Sequence, residues 1–276
     1  MIHSLRFAVV PASLLVGALT FAPAASADPG QIMQPAPSVH VRAHHSHSTP
    51  GDIIGEALSE VSLHGDQKAA VDAIKKDVAA KHAAVKQAKK DLLEAVADQV
   101  DAGAFDKKAI KAIGDDLVVA EMAEAKAQRT ALDKLHTILD KGQRDKLATA
   151  VEARVDHDKS GISGREELSK IAKVLKLDPG QEKAIAVFMK DAPQDDGDRQ
   201  AQAKEHEHKL LDAFRGDKFD SLKALPPSAT RERDQAEISR MIGVVEKLLP
   251  VLNPEQRAKC AEIFRDRSTG SGSLKI

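Results

Sequence analysis

The sequence predicts an all-α protein, and three observations support this fold class. Ala, Lys, Glu, Asp, Leu and Gln dominate the composition, Trp and Tyr are absent, and aromatic residues make up only 3% of the chain, which leaves little strand-forming material. Apolar residues recur at helical spacing over long segments. Short motifs that favour helix starts separate these segments. The core is therefore expected to consist of Leu, Val, Ile and Ala.

The N-terminus predicts export. Residues 7–22 carry no formal charge, and the small-x-small pattern of Ala25-Ser26-Ala27 follows them. Residues 1–27 are therefore predicted to be a signal peptide that is cleaved before Asp28. The alternative is an uncleaved membrane anchor, but a helix that spans a bilayer needs about 20 apolar residues. Cleavage would leave a soluble chain outside the cytoplasm.

Charge and cysteine content give no sign of a nucleic-acid partner, an anionic membrane or an internal disulfide. The 41 basic residues nearly cancel the 42 acidic ones, so net charge does not indicate a nucleic-acid partner or an anionic membrane. Cys260 is the single cysteine, so no internal disulfide can form. Its apolar helical position predicts an inert core thiol, with an intermolecular or redox role as the alternative.

No nucleophile elbow, phosphate loop or metalloprotease helix motif is found, so an enzyme is not predicted.

Residues 28–50 are predicted to be a disordered tail, because they are rich in Pro and His and poor in apolar residues. Clustered imidazoles on such a tail can bind zinc, copper or nickel. The alternative to a metal site is a solvated linker. The candidate ligands are His40, His44, His45 and His47.

The rest of the chain repeats one pattern, in which a leucine is followed four positions later by a glutamine. The four copies pair Leu63 with Gln67, Leu139 with Gln143, Leu177 with Gln181, and Leu252 with Gln256. The interval from the first copy to the second is nearly the same as the interval from the third to the fourth, since 139 − 63 = 76 and 252 − 177 = 75. Two tandem units are therefore predicted. We call residues 51–155 unit 1 and residues 165–268 unit 2; residues 269–276 are predicted to be a flexible C-terminus.

Each motif has the local chemistry of a helix start. Short polar residues such as Asp178 and Asn253 can cap exposed N–H groups, and Pro179 and Pro254 suit the first helical position. We therefore expect the motif residues to form corners between helices and not a ligand site.

Long antiparallel helices are expected between the corners. Val118, Ala125, Leu132 and Leu139 recur every seven residues, which is typical of helices that pack as a shallow coiled coil. Gly103 and Gly216 each precede a Phe-Asp pair and are expected to mark the reversal between two helices. Pro226-Pro227 is expected to interrupt the long-helix region of unit 2.

Residues 156–167, which include the predicted hinge at 156–164, resemble an EF-hand loop. Oxygen ligands at the first, third, fifth and twelfth positions and a glycine at the sixth are what calcium requires. The apolar residue usual at the eighth position falls here at the seventh, so a polar hinge is the alternative. The candidate calcium residues are Asp156, Asp158, Ser160, Ile162 and Glu167.

The order of capped corner, helix, Phe-Asp reversal, long helix and Leu252-Asn-Pro-Glu-Gln256 resembles the Spy- and CpxP-like LTxxQ family of periplasmic stress proteins. Thr is absent from the second position of every motif, and residues 139–143 lack both Pro and Glu. The resemblance implies a periplasmic location and a thin, curved cradle that two identical chains form together. In a duplicated chain it implies a monomeric pseudo-dimer that closes within one molecule.

The resemblance also implies the function. The leading hypothesis is an ATP-independent chaperone or envelope-stress protein that binds unfolded envelope proteins on an amphipathic helical surface, requires no cofactor and does not insert stably in a membrane. The alternatives are a zinc- or similar metal-binding stress protein, for which zinc or calcium would be the ligand, and a regulator that docks on a sensor domain.

Overall fold

The computed structural model describes residues 50–157, 172–190, 197–224 and 227–269, and helices without strands make up this part of the chain. The predicted all-α class is confirmed. The labelled helices are α1 (Pro50–Ser59), α2 (Gly65–Ala102), α3 (Lys107–Ile138), α4 (Lys141–His157), α5 (Pro179–Lys190), α6 (Gly197–Arg215), α7 (Ser221–Ala224), α8 (Pro227–Leu248) and α9 (Pro254–Ser268).

Helices α2 and α3 form a long antiparallel hairpin. The 38 residues of α2 extend about 57 Å at 1.5 Å per residue. Gly103 ends α2 with a left-handed φ of 68°, a conformation that glycine adopts without steric cost. The Asp106 side chain then caps α3 by accepting from the N–H groups of Lys108 and Ala109 at 2.9 and 3.2 Å. The reversal therefore lies where the Gly103 and Phe-Asp pattern predicts it.

Unit 2 is more broken than unit 1. The short helix α7 and the helix α8 stand where unit 1 has the continuous α3, and α8 begins at Pro227. Proline lacks an N–H and disrupts a helix interior, but it suits a first helical position. The interruption predicted at Pro226-Pro227 agrees with this helix start, although Pro226 itself lies outside the described residues.

The helices of the two units interleave. Helix α9 of unit 2 packs on α2 of unit 1, α4 of unit 1 packs on α6 of unit 2, and α3 packs on α8. A Cβ atom at Gly114 in α3 would lie 2.5 Å from Cγ2 of Ile238 in α8, so these two helices approach closely because Gly114 has no side chain.

Within the described ranges the core has two clusters, and each draws residues from both units. Cluster 1 lies around the corners of unit 1 and includes Val71, Ile74, Leu135, Leu147, Val151, Leu211 and Phe214. Cluster 2 lies around the reversal of unit 1 and the corners of unit 2, and it includes Val96, Val100, Ile110, Val118, Ile238, Val245, Leu252 and Ala261. The predicted seven-residue seam contributes to the packed interior, because Val118, Ala125 and Leu139 are buried and Leu132 is half-buried.

Candidate functional site

The two motifs of unit 1 meet through their glutamine side chains. The Gln67 Nε2 group donates to Gln143 Oε1 at 2.9 Å and to the Ile138 carbonyl at 2.9 Å. The Gln143 Nε2 group donates back to Gln67 Oε1 at 2.9 Å and to the Ser62 carbonyl at 2.7 Å. Each amide thus binds the other amide and the backbone of the other corner.

The same glutamines also cap their own helices. Gln67 Oε1 accepts from the His64 N–H at 2.9 Å, and Gln143 Oε1 accepts from the Asp140 N–H at 3.0 Å. Asp140 Oδ1 in turn accepts from the Gln143 N–H at 2.8 Å, which completes a capping box. A glutamate could accept at this position but could not donate, so the reciprocal pair requires glutamine.

Unit 2 repeats this geometry. The Gln181 Nε2 group donates to Gln256 Oε1 and to the Val251 carbonyl, both at 2.8 Å. The Gln256 Nε2 group donates to Gln181 Oε1 at 2.9 Å and lies 3.3 Å from the Leu175 carbonyl. The backbone partners also match, because Ile138 and Val251 both stand directly before the leucine of the second motif.

The motif leucines and the arginines after the second motifs surround the amide pairs. Leu139 and Leu252 are buried, and Leu63 and Leu177 are half-buried against clusters 1 and 2. Arg144 Nη1 donates to the Leu139 carbonyl at 3.0 Å, and Arg257 Nη1 donates to the Leu252 carbonyl at 3.1 Å. The structure thus places all eight motif residues at helix corners. The two motifs are 76 residues apart in unit 1 and 75 residues apart in unit 2. This near-equal spacing is the sequence signal that could have indicated that the corners meet.

The reversal of each unit docks on the other unit. His136 of α3 stacks on Phe219 with a centroid distance of 5.5 Å, and its Nε2 atom lies 2.7 Å from the Gly216 carbonyl. At the other reversal, Lys107 Nζ lies 3.0 Å from Glu246 Oε1. These docking contacts join residues that are 80 or more positions apart, so local sequence patterns did not reveal them.

Ion pairs hold the outer helices α4 and α9 to the opposite unit. Arg215 of α6 makes a bidentate contact with Glu152 of α4, in which Nη1 lies 2.6 Å from Oε1. These hydrogen bonds lower the pKa of Glu152 and raise the pKa of Arg215 relative to their ordinary values, although burial opposes both shifts. Arg265 of α9 donates to Asp98 of α2 at 2.9 Å, and this hydrogen bond raises the pKa of Arg265.

The α2 side of the α2–α3 hairpin is thinly covered over its middle, where Val85 and Ala88 are half-buried against cluster 2. In α2 no residue from 79 to 91 is buried, and we call this segment the central surface. Four lysines alternate there with five alanines and Val85. His82 Nδ1 lies 3.1 Å from Oε1 of the buried Glu124, and in an antiparallel hairpin this pairing places Val119, which is 66% exposed, level with the central surface. No local pattern indicated the His82–Glu124 pair, because the partners are 42 residues apart.

Cys260 is a packed core residue. It is 7% exposed, and burial raises the pKa of its thiol to about 11. A thiol with this pKa is protonated at neutral pH and is therefore a weak nucleophile. These properties agree with the predicted inert role.

The predicted metal sites fall mostly outside the described residues. His40, His44, His45 and His47 lie there, as do the predicted signal peptide and residues 158–171. Of the EF-hand-like residues, Asp156 is in the last turn of α4, and Asp158, Ser160, Ile162 and Glu167 lie outside. Within the described ranges, no group of three or more His, Cys, Asp or Glu side chains is placed to hold a metal ion. Zinc and calcium binding stay predictions.

In this all-α fold the motifs have a structural role, because their glutamine side chains pair the corners between the helices. Residues 52–150 match the model of the LTXXQ motif family. The match suggests an envelope-stress or chaperone-like periplasmic protein. No curated protein and no solved structure matches the chain. None of the helices in the described ranges combines the length and hydropathy needed to cross a bilayer.

Proposed function

We propose that this protein is a non-catalytic, ATP-independent periplasmic chaperone that holds unfolded envelope proteins on the central surface of its α2–α3 hairpin. The observation that carries the proposal is the LTXXQ family match over residues 52–150, the segment that contains the hairpin. The cleavable signal peptide predicted at residues 1–27 is part of the proposal.

The central surface has suitable chemistry for weak and non-specific binding. Val85 and Ala88 are half-buried, the neighbouring Ala83 and Ala84 are exposed, and Lys86 is exposed beside them. Lysine side chains combine an apolar stem with a charged end, so a surface of this kind offers apolar contact to a client while it stays soluble. Contacts with these small side chains and lysine stems are weak and non-specific. They therefore suit partly folded chains better than one fixed ligand.

A cavity in cluster 1 is too small for a ligand. A cavity lined by Ile54, Leu135, Leu147, Phe214 and other cluster 1 residues has a volume of about 20 Å³. Pockets for small molecules usually measure about 300 to 1,000 Å³. This cavity is therefore a packing defect of the core, and client binding is assigned to the outer surface.

We also propose that the two units are tandem copies that form one closed pseudo-dimer. The repeated amide pairs support this view, and so do the exchanged outer helices, since α9 packs on α2 as α4 packs on α6. In such an arrangement a single chain supplies both halves of a binding cradle.

An aggregation assay tests the function. A reduced and denatured model protein is diluted into buffer with increasing amounts of the purified chain, and light scattering is followed without ATP. We expect scattering to fall as the chain approaches a 1:1 ratio to the client. An unchanged scattering curve at a several-fold molar excess would refute the chaperone function.

Two variants test the location of the surface. Val85→Asn with Val119→Asn removes apolar contact from the centre of the hairpin, while Ala109→Asn with Ala258→Asn places the same residue at exposed helical positions elsewhere. We expect the first variant to lose protection and the second to keep it. If both protect like the unmodified chain, clients bind at another surface although the function stands. Thermal melting confirms that each variant is folded.

A further inference from the structure

Corresponding contacts between the units carry opposite charge. Asp101 in α2 corresponds to Arg215 in α6, since the two positions differ by 215 − 101 = 114. Arg265 in α9 corresponds to Glu152 in α4, since 265 − 152 = 113. Arg265 Nη2 lies 3.6 Å from Asp101 Oδ2, and Arg215 Nη1 lies 2.6 Å from Glu152 Oε1. The two ends of the interface thus hold the same pair with acid and base exchanged.

We propose that this exchange of charge makes each unit complementary to the other unit and repulsive toward a second copy of itself. If unit 1 of one chain packed on unit 1 of another in the same way, Glu152 would face Asp98 and Asp101. If unit 2 packed on unit 2, Arg265 would face Arg215. Like charges at contact distance disfavour these pairings, whereas both native contacts are attractive.

Repulsion is stronger for unit 1 than for unit 2. Asp212 corresponds to Asp98 and keeps its negative charge, so a second copy of unit 2 would bring one attractive contact to Arg265 beside the repulsive one from Arg215. Unit 1 has no such compensation, because Asp98 and Asp101 are both acidic. A two-chain assembly in which like units pair needs both kinds of pairing, so exclusion of unit 1 is sufficient to prevent it.

Another corresponding pair of polar contacts between the units does not discriminate. Lys107 pairs with Glu246, and the corresponding pair is Ser221 with Asp133, whose Oγ and Oδ2 atoms are 2.6 Å apart. The acidic residue stays on the same side in both units, so Lys107 could also pair with Asp133 of a second copy. Discrimination is therefore assigned to the ion pairs of α4 and α9.

Such discrimination matters most during folding. Repeated units in one chain tend to misassemble with copies in other chains when they fold at high concentration. The charge pattern directs unit 1 to a unit 2, either the one that follows it in the same chain or that of another chain. It directs unit 1 away from another unit 1. The partner that this surface fits is thus a unit of opposite polarity.

The test exchanges one ion pair and leaves the interface attractive. In the full chain, Glu152→Arg with Arg215→Asp keeps net charge and keeps opposite charges at that contact, but both ends of the interface now have the same polarity. Like units then become complementary. The protein is refolded by dilution from urea at concentrations from about 1 to 100 μM, a range in which misassembly becomes visible. Size-exclusion chromatography with light scattering measures the monomer and dimer fractions.

We expect the unmodified chain to refold as a monomer over this range and the exchanged variant to give about fivefold more dimer at the highest concentration. The mirror variant, Asp98→Arg with Asp101→Arg and Arg265→Glu, should behave in the same way. Combining all five substitutions restores opposite polarity at the two ends, and we expect the dimer fraction to fall again. This recovery distinguishes a charge pattern from a general loss of stability.

A matched control exchanges an ion pair within one helix. Lys111 and Asp115 lie on the exposed side of α3 with Nζ 2.7 Å from Oδ2, and Lys111→Asp with Asp115→Lys should leave the dimer fraction unchanged. Equal dimer fractions in the unmodified chain and in both exchanged variants would overturn the proposal. So would a dimer fraction that stays high when all five substitutions are combined. If one exchanged variant does not fold, its mirror variant still decides between these outcomes.

Discussion

The amide pair between Gln67 and Gln143 predicts a specific cost for Gln143→Glu. The new side chain keeps the oxygen that accepts from the Asp140 N–H, but it loses the donor to the Ser62 carbonyl and to Gln67 Oε1. The site is 7% exposed, so water cannot fully replace these partners. Two lost hydrogen bonds and a buried carboxylate that faces two oxygen atoms give an expected loss of about 2 to 4 kcal/mol in the free energy of unfolding.

Urea denaturation followed by far-UV circular dichroism measures this loss. Gln87→Glu is the control, because Gln87 is exposed and bonds to Asp91 one turn away, so the change should stay within about 0.5 kcal/mol. The cost of Gln143→Glu should shrink at acid pH, since a protonated carboxyl group can donate one hydrogen bond and the ionised form is the one that the site rejects. A loss under about 0.5 kcal/mol for Gln143→Glu at neutral pH would refute the structural role of the pair.

The corresponding substitution in unit 2, Gln256→Glu, is predicted to have a smaller effect on the free energy of unfolding. The Gln256 Nε2 group lies 3.3 Å from its nearest carbonyl partner, whereas the Gln143 Nε2 group lies 2.7 Å from the Ser62 carbonyl. Gln256→Glu should therefore cost less than Gln143→Glu. A double-mutant cycle between Gln67→Ala and Gln143→Ala should show a coupling of about 0.5 to 3 kcal/mol, because the two side chains share hydrogen bonds. Additive losses in the cycle would show that each glutamine acts only as a cap.

Individual contacts elsewhere in the fold lead to three more predictions. Gly114→Ala should lower the melting temperature, because the new Cβ atom would come within 2.5 Å of Ile238 Cγ2. Adding Ile238→Val keeps Cγ2 and should not restore the melting temperature. Adding Ile238→Ala removes Cγ2 and should relieve the clash. Cys260 should react with a thiol reagent at pH 8 only after unfolding, since its folded pKa is about 11, and rapid reaction of the native chain would contradict its burial. The pKa of Glu152 is lower in the folded chain than its ordinary value of 4.5. Its contribution to stability is therefore present above pH 4.5 and is lost as the pH falls through the folded pKa. Glu152→Gln should flatten the fall in stability that is measured from pH 5 downward.

The sequence predicted the local elements of this fold well. Helical periodicity identified the long helices, the glycine before the Phe-Asp pair located the turn at Gly103, and the proline pair located the start of α8 at Pro227. These features depend on residues within one or two helical turns, where backbone chemistry alone is decisive. The corners were also predicted, because capping needs only the residues that follow one another in the motif.

The sequence did not predict how the helices interlock. The contacts of Gln67 with Gln143 and of His136 with Gly216 join residues that are 76 and 80 positions apart. Local periodicity has no information on such distances. The charge exchange between Glu152 and Arg265 is visible in an alignment of the two units, but its meaning depends on knowing that these residues face Arg215 and Asp101 in the opposite unit.

The arrangement separates the parts of the molecule that must be specific from the part proposed to bind clients. Amide pairs fix each corner, and ion pairs fix which unit lies opposite, so both ends of the hairpin are anchored by directional contacts. The central surface contributes less to the core, because none of residues 79–91 is buried and Val85 and Ala88 are only half-buried against cluster 2. The anchored ends therefore hold a segment whose side chains are mostly exposed. A surface that contributes little to the core can make weak contacts with many different chains, which is the property that the proposed function requires.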